Sequence, residues 1–400
     1  MIAPASAPAV LPAPIILLPA RAAELRATLI AWCEQNSGSD NFPGLAAMLT
    51  VLGRAFASLP GTVEEVPLAG TPARALRVRV RPEAPLQLLI SGHFDTVYSA
   101  DHPFQRCTQL DANTLNGPGV ADMKGGLIVM LATLQTFELT PAAARIGYEI
   151  ILSADEEIGT HGTGPVLAAA APHHHFGLVF EPARPDGSLV RTRMGTGAVI
   201  ATCQGRAAHA AKAEDGRNAI AALAEFLVAA HRIPAELPGV LLNIGNIRGG
   251  GPATNIVPDF AESELDVRIS RAGDDARLLA RLHELAAPIN ARDGFRLDLT
   301  PSFNRPPKGT GPAEAAAFAA LQTAARDLGL APFTWVDTGG GSDGNLLYAA
   351  GLPNLDGLGP LGDFLHSDRE RVDLPSLVTR AQLSALFLHR LATGEIVLPR

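Results

Sequence analysis

Two histidines and several acids are placed along the chain so that they could hold metal ions. Imidazole nitrogens and carboxylate oxygens are common zinc ligands, and five such groups can hold two ions if one carboxylate is shared. In chain order, the five candidates are His93, Asp122, Glu157, Glu181 and His366. A sixth acid, Glu156, is not needed as a ligand and can therefore move protons. The set predicts a two-metal hydrolase of amide bonds.

Most of these residues come at, or just past, the end of a short apolar run. The predicted strands in this part of the chain cover residues 75–80, 86–91, 145–153 and 177–181. Helical spacing is found at 22–36 and 125–139. Strands that alternate with helices predict an α/β fold, with a mostly parallel sheet and helices on both faces. Ligands of such sheets bind beyond the carboxyl ends of the strands, where four of the six candidates fall.

The pattern changes after residue 195 to strand, helix, two strands, helix and strand, which is typical of a compact α+β layer. The predicted strands are 198–204, 240–247, 261–269 and 295–301, and the predicted helices are 216–233 and 274–287. Alternation of helices and strands resumes near residue 308, before the late histidine. We therefore predict a catalytic domain made of 1–195 and 308–400, with an inserted domain of 196–307.

Composition argues against several classes of protein. A net charge of −8 without a basic cluster is unlike a nucleic-acid-binding protein. The three cysteines lack CxxC spacing, which argues against a disulfide framework and a thiolate zinc site. No apolar run approaches the length of a membrane span. The apolar N-terminus has prolines and no basic residue before Arg21, so we expect a surface arm and a cytoplasmic location, with export as the open alternative.

The segment RIGYEIILSADEEIGTHG is the most specific of the individual signals. A largely apolar strand delivers Asp155, Glu156 and Glu157 to one place. Adjacent acids repel one another, and a nearby cation relieves that repulsion. The alternative is a solvated acidic turn, which fits less well because the strand ends in the apolar run 150–152. One acid can then bind a metal while its neighbour carries protons.

Other acids could support the two histidines. Asp95 lies two residues after His93, on the same side of an extended chain, and could fix the tautomer of a zinc-bound ring. Asp122 precedes a predicted helix whose first amides favour an anion, although an ordinary helix cap is the alternative. Asp363 and Asp368 flank the late histidine and are its candidate partners.

Taken together and in this order, these segments resemble the two-zinc exopeptidase and deacylase family. That family includes bacterial glutamate carboxypeptidase, aminoacylase, acetylornithine deacetylase and succinyl-diaminopimelate desuccinylase. The matching segments are GHFDTV, GVADMKGG, SADEEIG, FEP, GRAAHA, NIVPD with DVR, GGGSD and HSD. They extend from Gly92 to Asp368, and the glutamate carboxypeptidase branch is the most similar.

The resemblance implies two Zn²⁺ ions, for which Co²⁺ or Mn²⁺ could substitute. The implied ligands are His93 and Glu181 for one ion, Glu157 and His366 for the other, and Asp122 for both. Glu156 is implied to be the general base that activates a water bridging the two zincs, and Asp95 to orient His93. The family also suggests a cis peptide bond between Asp122 and Met123.

For the inserted domain, the resemblance implies a lid that is also the interface of a homodimer. His209 would reach the partner subunit's active site and stabilise the oxyanion, where a hydrogen-bond donor is needed. Asn255 and Arg268 would hold a free substrate carboxylate, for which the arginine fork is suited. Without the resemblance, a salt bridge on the sheet surface is the simpler reading of Arg268. Gly340 and Gly341 could offer backbone amides to the substrate.

The chain departs from the glutamate-specific branch at Thr300, where that branch carries an arginine. We therefore predict zinc-dependent, carboxypeptidase-like cleavage of an amide or peptide bond next to a free carboxylate, without a requirement for an acidic side chain. The expected partners are a small peptide or N-acyl amino acid and a second copy of the chain, with neither nucleic acid nor membrane.

Two alternatives to this reading stay open. One is an N-acyl-amino-acid deacylase, or aminoacylase, that uses the same site. The other is a catalytically silent, metal-stabilised dimeric binding protein, although the presence of both Glu156 and Glu157 favours an enzyme.

Overall fold

The computed structural model describes residues 11–399, which divide into two compact units. The small unit contains Arg193–Lys308 and Thr338–Gly341, and the large unit contains the rest. Residues 338–341 therefore differ from the sequence-based division. They group with the small unit because Arg193 donates hydrogen bonds to the carbonyls of Gly340 and Gly341 at 3.2 and 3.3 Å. Residues 1–10 of the predicted N-terminal surface arm lie outside the described residues. In the described half of that segment Ile15 and Leu18 are buried in the core, so this part is not a surface arm, because its apolar side chains pack inside the large unit.

The helices of residues 11–399 are concentrated in the large unit. They are α1 (Ala13–Leu17), α2 (Ala22–Cys33), α3 (Phe42–Phe56), α4 (Lys124–Glu138), α5 (Gly164–Ala170), α6 (Ala219–Ala230), α7 (Ile233–Glu236), α8 (Asp274–Asn290), α9 (Pro312–Asp327), α10 (Asp343–Ala349) and α11 (Leu374–Thr393). The helix predicted at 216–233 is shorter than expected. It begins after Asn218, whose side chain accepts a hydrogen bond from the Ala221 amide and so caps the helix.

The strands are distributed over both units. They are β1 (Thr62–Pro67), β2 (Arg74–Val80), β3 (Leu86–His93), β4 (Thr108–Gln109), β5 (Thr114–Asn116), β6 (Ile146–Ser153), β7 (Phe176–Val179), β8 (Leu189–Arg193), β9 (Gly195–Gln204), β10 (Ala208–His209), β11 (Val240–Gly249), β12 (Ile256–Val257), β13 (Phe260–Ile269), β14 (Arg296–Arg305), β15 (Trp335–Thr338), β16 (Asn354–Asp356), β17 (Gly362–Asp363) and β18 (Arg371–Asp373).

The large sheet confirms the predicted α/β fold. It has eight strands in the order β1-β2-β6-β3-β7-β16-β8-β15. The four central strands, β6, β3, β7 and β16, run parallel to one another. Antiparallel pairing occurs toward the sides, between β1 and β2, β2 and β6, and β16 and β8. The carboxyl ends of β6, β3 and β7 therefore lie next to one another.

Helices cover both faces of this sheet, as predicted. Leu88 and Ile90 of β3 pack into a core that includes apolar residues of α2, α4 and α11. Leu89, between them, points to the other face and packs with residues of α5 and α10. Because consecutive side chains of a strand face opposite ways, burial on both faces requires a continuous apolar run. That requirement explains why these strands could be recognised in the sequence.

The small unit contains an antiparallel sheet in the order β11-β13-β9-β14. Alternate residues of β13, such as Leu265 and Val267, are buried against α6 and α8. The intervening residues, which include Asp266 and Arg268, are less buried and lie on the face away from these helices. Among the described residues, none of the helices has both the length and the apolar character of a membrane-spanning segment.

Two glycines of the GVADMKGG segment allow α4 to pack closely. A Cβ at Gly125 would overlap the carbonyl oxygen of Val120, and a Cβ at Gly126 would overlap that of Phe180. Phe180 directly precedes Glu181, so α4 rests against the end of the strand that carries this acid. Neither backbone oxygen can move without shifting a candidate metal ligand.

We expect Gly126→Ala to lower the thermal unfolding midpoint, since overpacking a tight contact costs about 1–3 kcal/mol. Gly53→Ala is the matched control, because Gly53 is also helical but its nearest neighbour would be Leu76 Cδ1 at 3.9 Å. That change should raise stability by up to about 1 kcal/mol. Equal effects of the two substitutions would contradict the close packing of α4.

Candidate metal centre

Three neighbouring strand ends bring most of the candidate ligands together. His93 is the last residue of β3, where it pairs in register with Ser153, the last residue of β6. Glu156 and Glu157 follow in the turn after β6, and Glu181 comes two residues after β7. Parallel pairing aligns these ends, so the three segments place their acids around His93.

Asp122 lies between the two histidines. Its Oδ1 is 3.1 Å from His93 Nε2, and its Oδ2 is 3.2 Å from His366 Nε2. The residue sits in the tight loop before α4, and its peptide bond to Met123 is cis, as the resemblance suggested. With one oxygen directed to each histidine, this carboxylate has the geometry needed to serve two metal ions at once.

The remaining acids complete a group around each histidine. Glu157 Oε2 is 3.1 Å from His366 Nε2. Glu181 Oε1 is 3.7 Å from His93 Nε2, and Glu156 Oε2 is 3.8 Å from the same atom. Because Glu156 and Glu181 lie at nearly equal distances from His93, these distances do not distinguish which of the two acids is a metal ligand and which is the general base. The six side chains selected from the sequence are nevertheless gathered in one place.

Burial and charge explain why this group suits cations. His93, Asp122, Glu156 and Glu181 are each less than a tenth exposed. Burial raises the pKa of Glu157 to about 8, and the negative charge of Asp122 adds to the effect. Buried acids in mutual contact repel one another, and divalent cations bound between them relieve that repulsion. The nitrogen and oxygen donors are also those that zinc, cobalt and manganese accept.

Hydrogen bonds that the histidines donate to the acids raise the pKa values of both imidazole rings. Contacts with Asp122 and Glu157 raise the pKa of His366 to about 11. Burial lowers the pKa of His93, but its hydrogen bonds to Asp122 and Asp95 outweigh burial and raise that pKa well above its usual value. The surrounding carboxylates thus favour a positive charge at both histidine positions, as they would favour a bound cation.

Asp95 supports the site in two ways. Its Oδ1 accepts from the Glu156 amide and its Oδ2 from the Glu157 amide, both at 3.1 Å, and Ser39 Oγ donates to Oδ2 at 2.8 Å. His93 Nδ1 is 3.4 Å from Asp95 Oδ1 but only 3.1 Å from the Asp95 carbonyl oxygen. The carbonyl is therefore the closer acceptor, and a proton held on Nδ1 leaves Nε2 free to bind a metal.

Glu370 is a buried acid that sequence reasoning missed. Its Oε1 accepts from the amides of Ala121 and Asp122 at 2.9 and 3.0 Å. Its Oε2 accepts from the Gly119 amide at 3.0 Å and from the Tyr98 hydroxyl at 2.9 Å. The only sequence signal was its position close to the late histidine, which Asp363 and Asp368 share.

Asp363 and Asp368 were the predicted partners of His366, but their hydrogen bonds go to other residues. Asp363 Oδ2 accepts from Arg371 at 3.0 Å, and the Asp368 carbonyl accepts from Asn116 Nδ2 at 3.0 Å. The link to the Asp122 loop comes from Glu370 instead. The prediction failed because Arg371 competes for Asp363 on the neighbouring strand.

In the small unit, two of the predicted residues are neighbours. His209 is exposed at the end of β10, and its Nδ1 accepts from the Ala211 amide at 3.1 Å. Asn255 precedes β12, which pairs with β10, and its carbonyl accepts from the Ala210 amide at 2.9 Å. The structure thus brings His209 and Asn255 to one place on this unit.

Arg268 and the glycine pair have partners of their own within the small unit. Arg268 is in β13 and donates to Asp266 at 3.0 and 3.2 Å, so the sheet-surface salt bridge considered from the sequence is present. The carbonyls of Gly340 and Gly341 are the atoms that accept hydrogen bonds from Arg193.

Comparison with known proteins identifies the family. The sequence profile of peptidase family M20/M25/M40 matches residues 89–390. The chain belongs to this family. Carboxypeptidase G2 from Pseudomonas sp. (strain RS-16) is 27% identical over 367 residues, covering 90% of this chain and 87% of that protein. Succinyl-diaminopimelate desuccinylase from Methylobacterium sp. (strain 4-46) is 30% identical over 364 residues, covering 86% and 89%.

The fold is shared with solved structures at lower identity. The M20 family metallo-carboxypeptidase Sso-CP2 from Sulfolobus solfataricus superposes with a TM-score of 0.77 at 15% identity, covering 92% of this chain and 99% of that chain. The family match confirms the predicted resemblance and the assignment as a metal-dependent hydrolase. It also disfavours the catalytically silent alternative.

Proposed function

We propose that this enzyme hydrolyses an amide or peptide bond next to a free carboxylate, as a zinc-dependent carboxypeptidase. The observation that carries the proposal is Asp122, whose two oxygens face His93 and His366 at 3.1 and 3.2 Å. A spare acid, Glu156, lies in the same group. The similarity to carboxypeptidase G2 supports this activity.

Two zinc ions would be held by the residues that surround each histidine. The proposed ligands are His93, Glu181 and Asp122 for one ion, and His366, Glu157 and Asp122 for the other. Bound divalent ions supply Lewis acidity and lower the pKa of water. Cobalt and manganese suit the same nitrogen and oxygen donors.

Glu156 is proposed as the general base because the other acids are assigned as ligands. Its carboxylate is buried beside His93, and Asp95 holds its backbone amide. Glu156 removes a proton from the attacking water as the new C–O bond forms at the substrate carbonyl. It then gives this proton to the leaving nitrogen as the C–N bond breaks, so the base is regenerated.

A deacylase that uses the same residues is the second candidate. The similarity to succinyl-diaminopimelate desuccinylases at up to 30% identity favours it. The two candidates share the bond type and the proton transfers described above. They differ in the acyl side of the cleaved bond, which is a peptidyl group for the carboxypeptidase and a small acyl group for the deacylase.

Arg268 and Asn255 are proposed to bind the substrate carboxylate. Arg268 lies on the face of the small sheet away from its helices, and its partner Asp266 is half-exposed. An exposed pair of this kind is worth little, so a substrate carboxylate can replace Asp266 at small cost. Thr300 is exposed on β14 and offers no positive charge for an acidic side chain.

A homodimer through the small unit is proposed from its edge strand. β11 is the outer strand of the sheet and pairs with β13 alone among the described strands. Leu241 and Ile247 on β11 and Val228 on α6 are more than half exposed. A concavity of about 570 Å³ between α6 and β11 has a mainly apolar lining. A second copy that pairs its β11 with this one would cover these side chains.

We expect Glu156→Gln to keep both metal ions but to lower kcat by about 10²–10⁴-fold, because it cannot accept a proton. Glu157→Gln is the matched substitution at the neighbouring position, and it should lower metal content. Metal content per chain and kcat are measured on the same samples. If Glu156→Gln lost metal while activity per bound metal survived, the two roles would have to be exchanged.

The proposed exchange of His209 between subunits predicts complementation. A heterodimer of a Glu156→Gln chain and a His209→Ala chain should regain activity, since one of its sites combines Glu156 with the His209 of the other chain. Each homodimer alone serves as the control. A verified heterodimer as inactive as both homodimers would place His209 in the site of its own chain.

Substrate choice follows from the proposed carboxylate clamp. Amidation of the substrate carboxylate should abolish turnover, while exchange of a C-terminal glutamate for a neutral residue should lower kcat/KM by less than about 10²-fold, or about 2.7 kcal/mol. Release assays across peptidyl and N-acyl amino acids measure both effects and separate the two candidate activities.

Arg268→Ala should lower kcat/KM for substrates with a free carboxylate. It should also reduce the ratio of kcat/KM between these substrates and their amidated forms. Arg248→Ala is the control, since Arg248 forms a similar surface pair with Glu262 in the same sheet. An unchanged ratio of acid to amide turnover in the Arg268 variant would refute the clamp.

A further inference from the structure

Glu370 and Tyr98 connect the two loops that carry the central metal-ligand candidates. The Tyr98 hydroxyl is 2.9 Å from Glu370 Oε2 and 2.8 Å from the carbonyl oxygen of Ser367, the residue after His366. Glu370 also accepts from the Asp122 amide. Tyr98 and Glu370 are 3% and 1% exposed, so water cannot easily replace these contacts.

The loop that carries Asp122 depends on this carboxylate. Three of its backbone amides, those of Gly119, Ala121 and Asp122, donate to Glu370 in place of any helix or strand partner. Hydrogen bonds to a carboxylate are stronger than those between neutral groups. A buried amide that loses its acceptor costs about 1–3 kcal/mol, so this conformation is favoured only while Glu370 accepts.

The loop that carries His366 needs comparable support. His366 has φ of +61°, in the left-handed region that residues other than glycine seldom adopt. Asn116 Nδ2 donates to the carbonyls of Asp368 and Glu370 at 3.0 and 2.7 Å, which holds the chain after His366 against β5. Neighbouring contacts must maintain such a backbone conformation.

We propose that Glu370 and Tyr98 are positioning residues, which hold the Asp122 and His366 loops so that both side chains face the same pair of metal ions. This inference rests on the proposed ligand roles of Asp122 and His366. Neither Glu370 nor Tyr98 is proposed to touch metal or substrate. Their effect on metal affinity comes through the backbone of the ligands.

Glu370→Gln is the direct test. Glutamine keeps one acceptor oxygen, but its NH₂ group would face amide donors in place of the second oxygen. We expect Co²⁺ affinity to fall by about 10–100-fold, the usual effect of losing a group that supports a metal ligand. Titration of the metal-free protein with Co²⁺, followed by visible absorption, measures affinity and ligand geometry. Tyr98→Phe removes one donor and should weaken binding less, in the same direction.

A second tyrosine–glutamate pair provides matched controls. Tyr148 donates to Glu138 at 2.9 Å near the start of β6, at the end of that strand away from the metal centre. Glu138→Gln and Tyr148→Phe should lower the unfolding midpoint of the metal-free protein without changing Co²⁺ affinity. A purely structural role for Glu370 would make the two pairs behave alike.

The inference is overturned if Glu370→Gln binds Co²⁺ as the wild type does, or if Glu138→Gln weakens binding equally. Should Glu370→Gln fail to fold, Tyr98→Phe decides, and wild-type affinity and spectrum in that variant would refute the proposal. A wild-type protein that does not bind two Co²⁺ ions would instead refute the metal centre itself.

Discussion

The main physical constraint on this structure is the electrostatic repulsion among acids that are buried together at the ends of β6, β3 and β7. Burial already disfavours a charged carboxylate, and a second carboxylate in contact disfavours it further. The pKa of Glu157, raised to about 8, records both effects. Asp122 lies between the two histidines, with one oxygen near each of them. Cations at both of these positions would satisfy the whole group, which is why we regard the acids as ligands.

The fold serves this arrangement by placing the ligands on rigid elements and on loops that other acids hold. Parallel pairing aligns His93 with the segment before Glu156. Helix α4 packs so closely against the end of β7 that only glycine fits at the contact. Asp95 and Glu370 are not among the proposed ligands. Each accepts hydrogen bonds from the backbone of loops that carry proposed ligands. We therefore propose that these two carboxylates set the geometry of the site, while the proposed ligand carboxylates would bind the metal ions.

Sequence reasoning succeeded where local pattern and function coincide. The buried strands are continuous apolar runs, so their ends could be located, and the acids at those ends could be selected. Sequence reasoning missed Glu370 because this carboxylate and the backbone amides that donate to it are about 250 residues apart in the chain. They meet only after the chain has folded. Sequence reasoning also could not show that Arg268 pairs with Asp266 on the same strand, since either residue could have faced another partner.

The most direct test of the account is a crystal structure of the zinc-loaded enzyme with anomalous diffraction data collected at the zinc absorption edge. We predict two anomalous peaks per chain, one beside each oxygen of Asp122, with His93 and His366 on different peaks. Ligand distances should be about 2.0–2.2 Å. A single peak, or two peaks that leave Asp122 without a metal, would contradict the shared carboxylate on which the account rests.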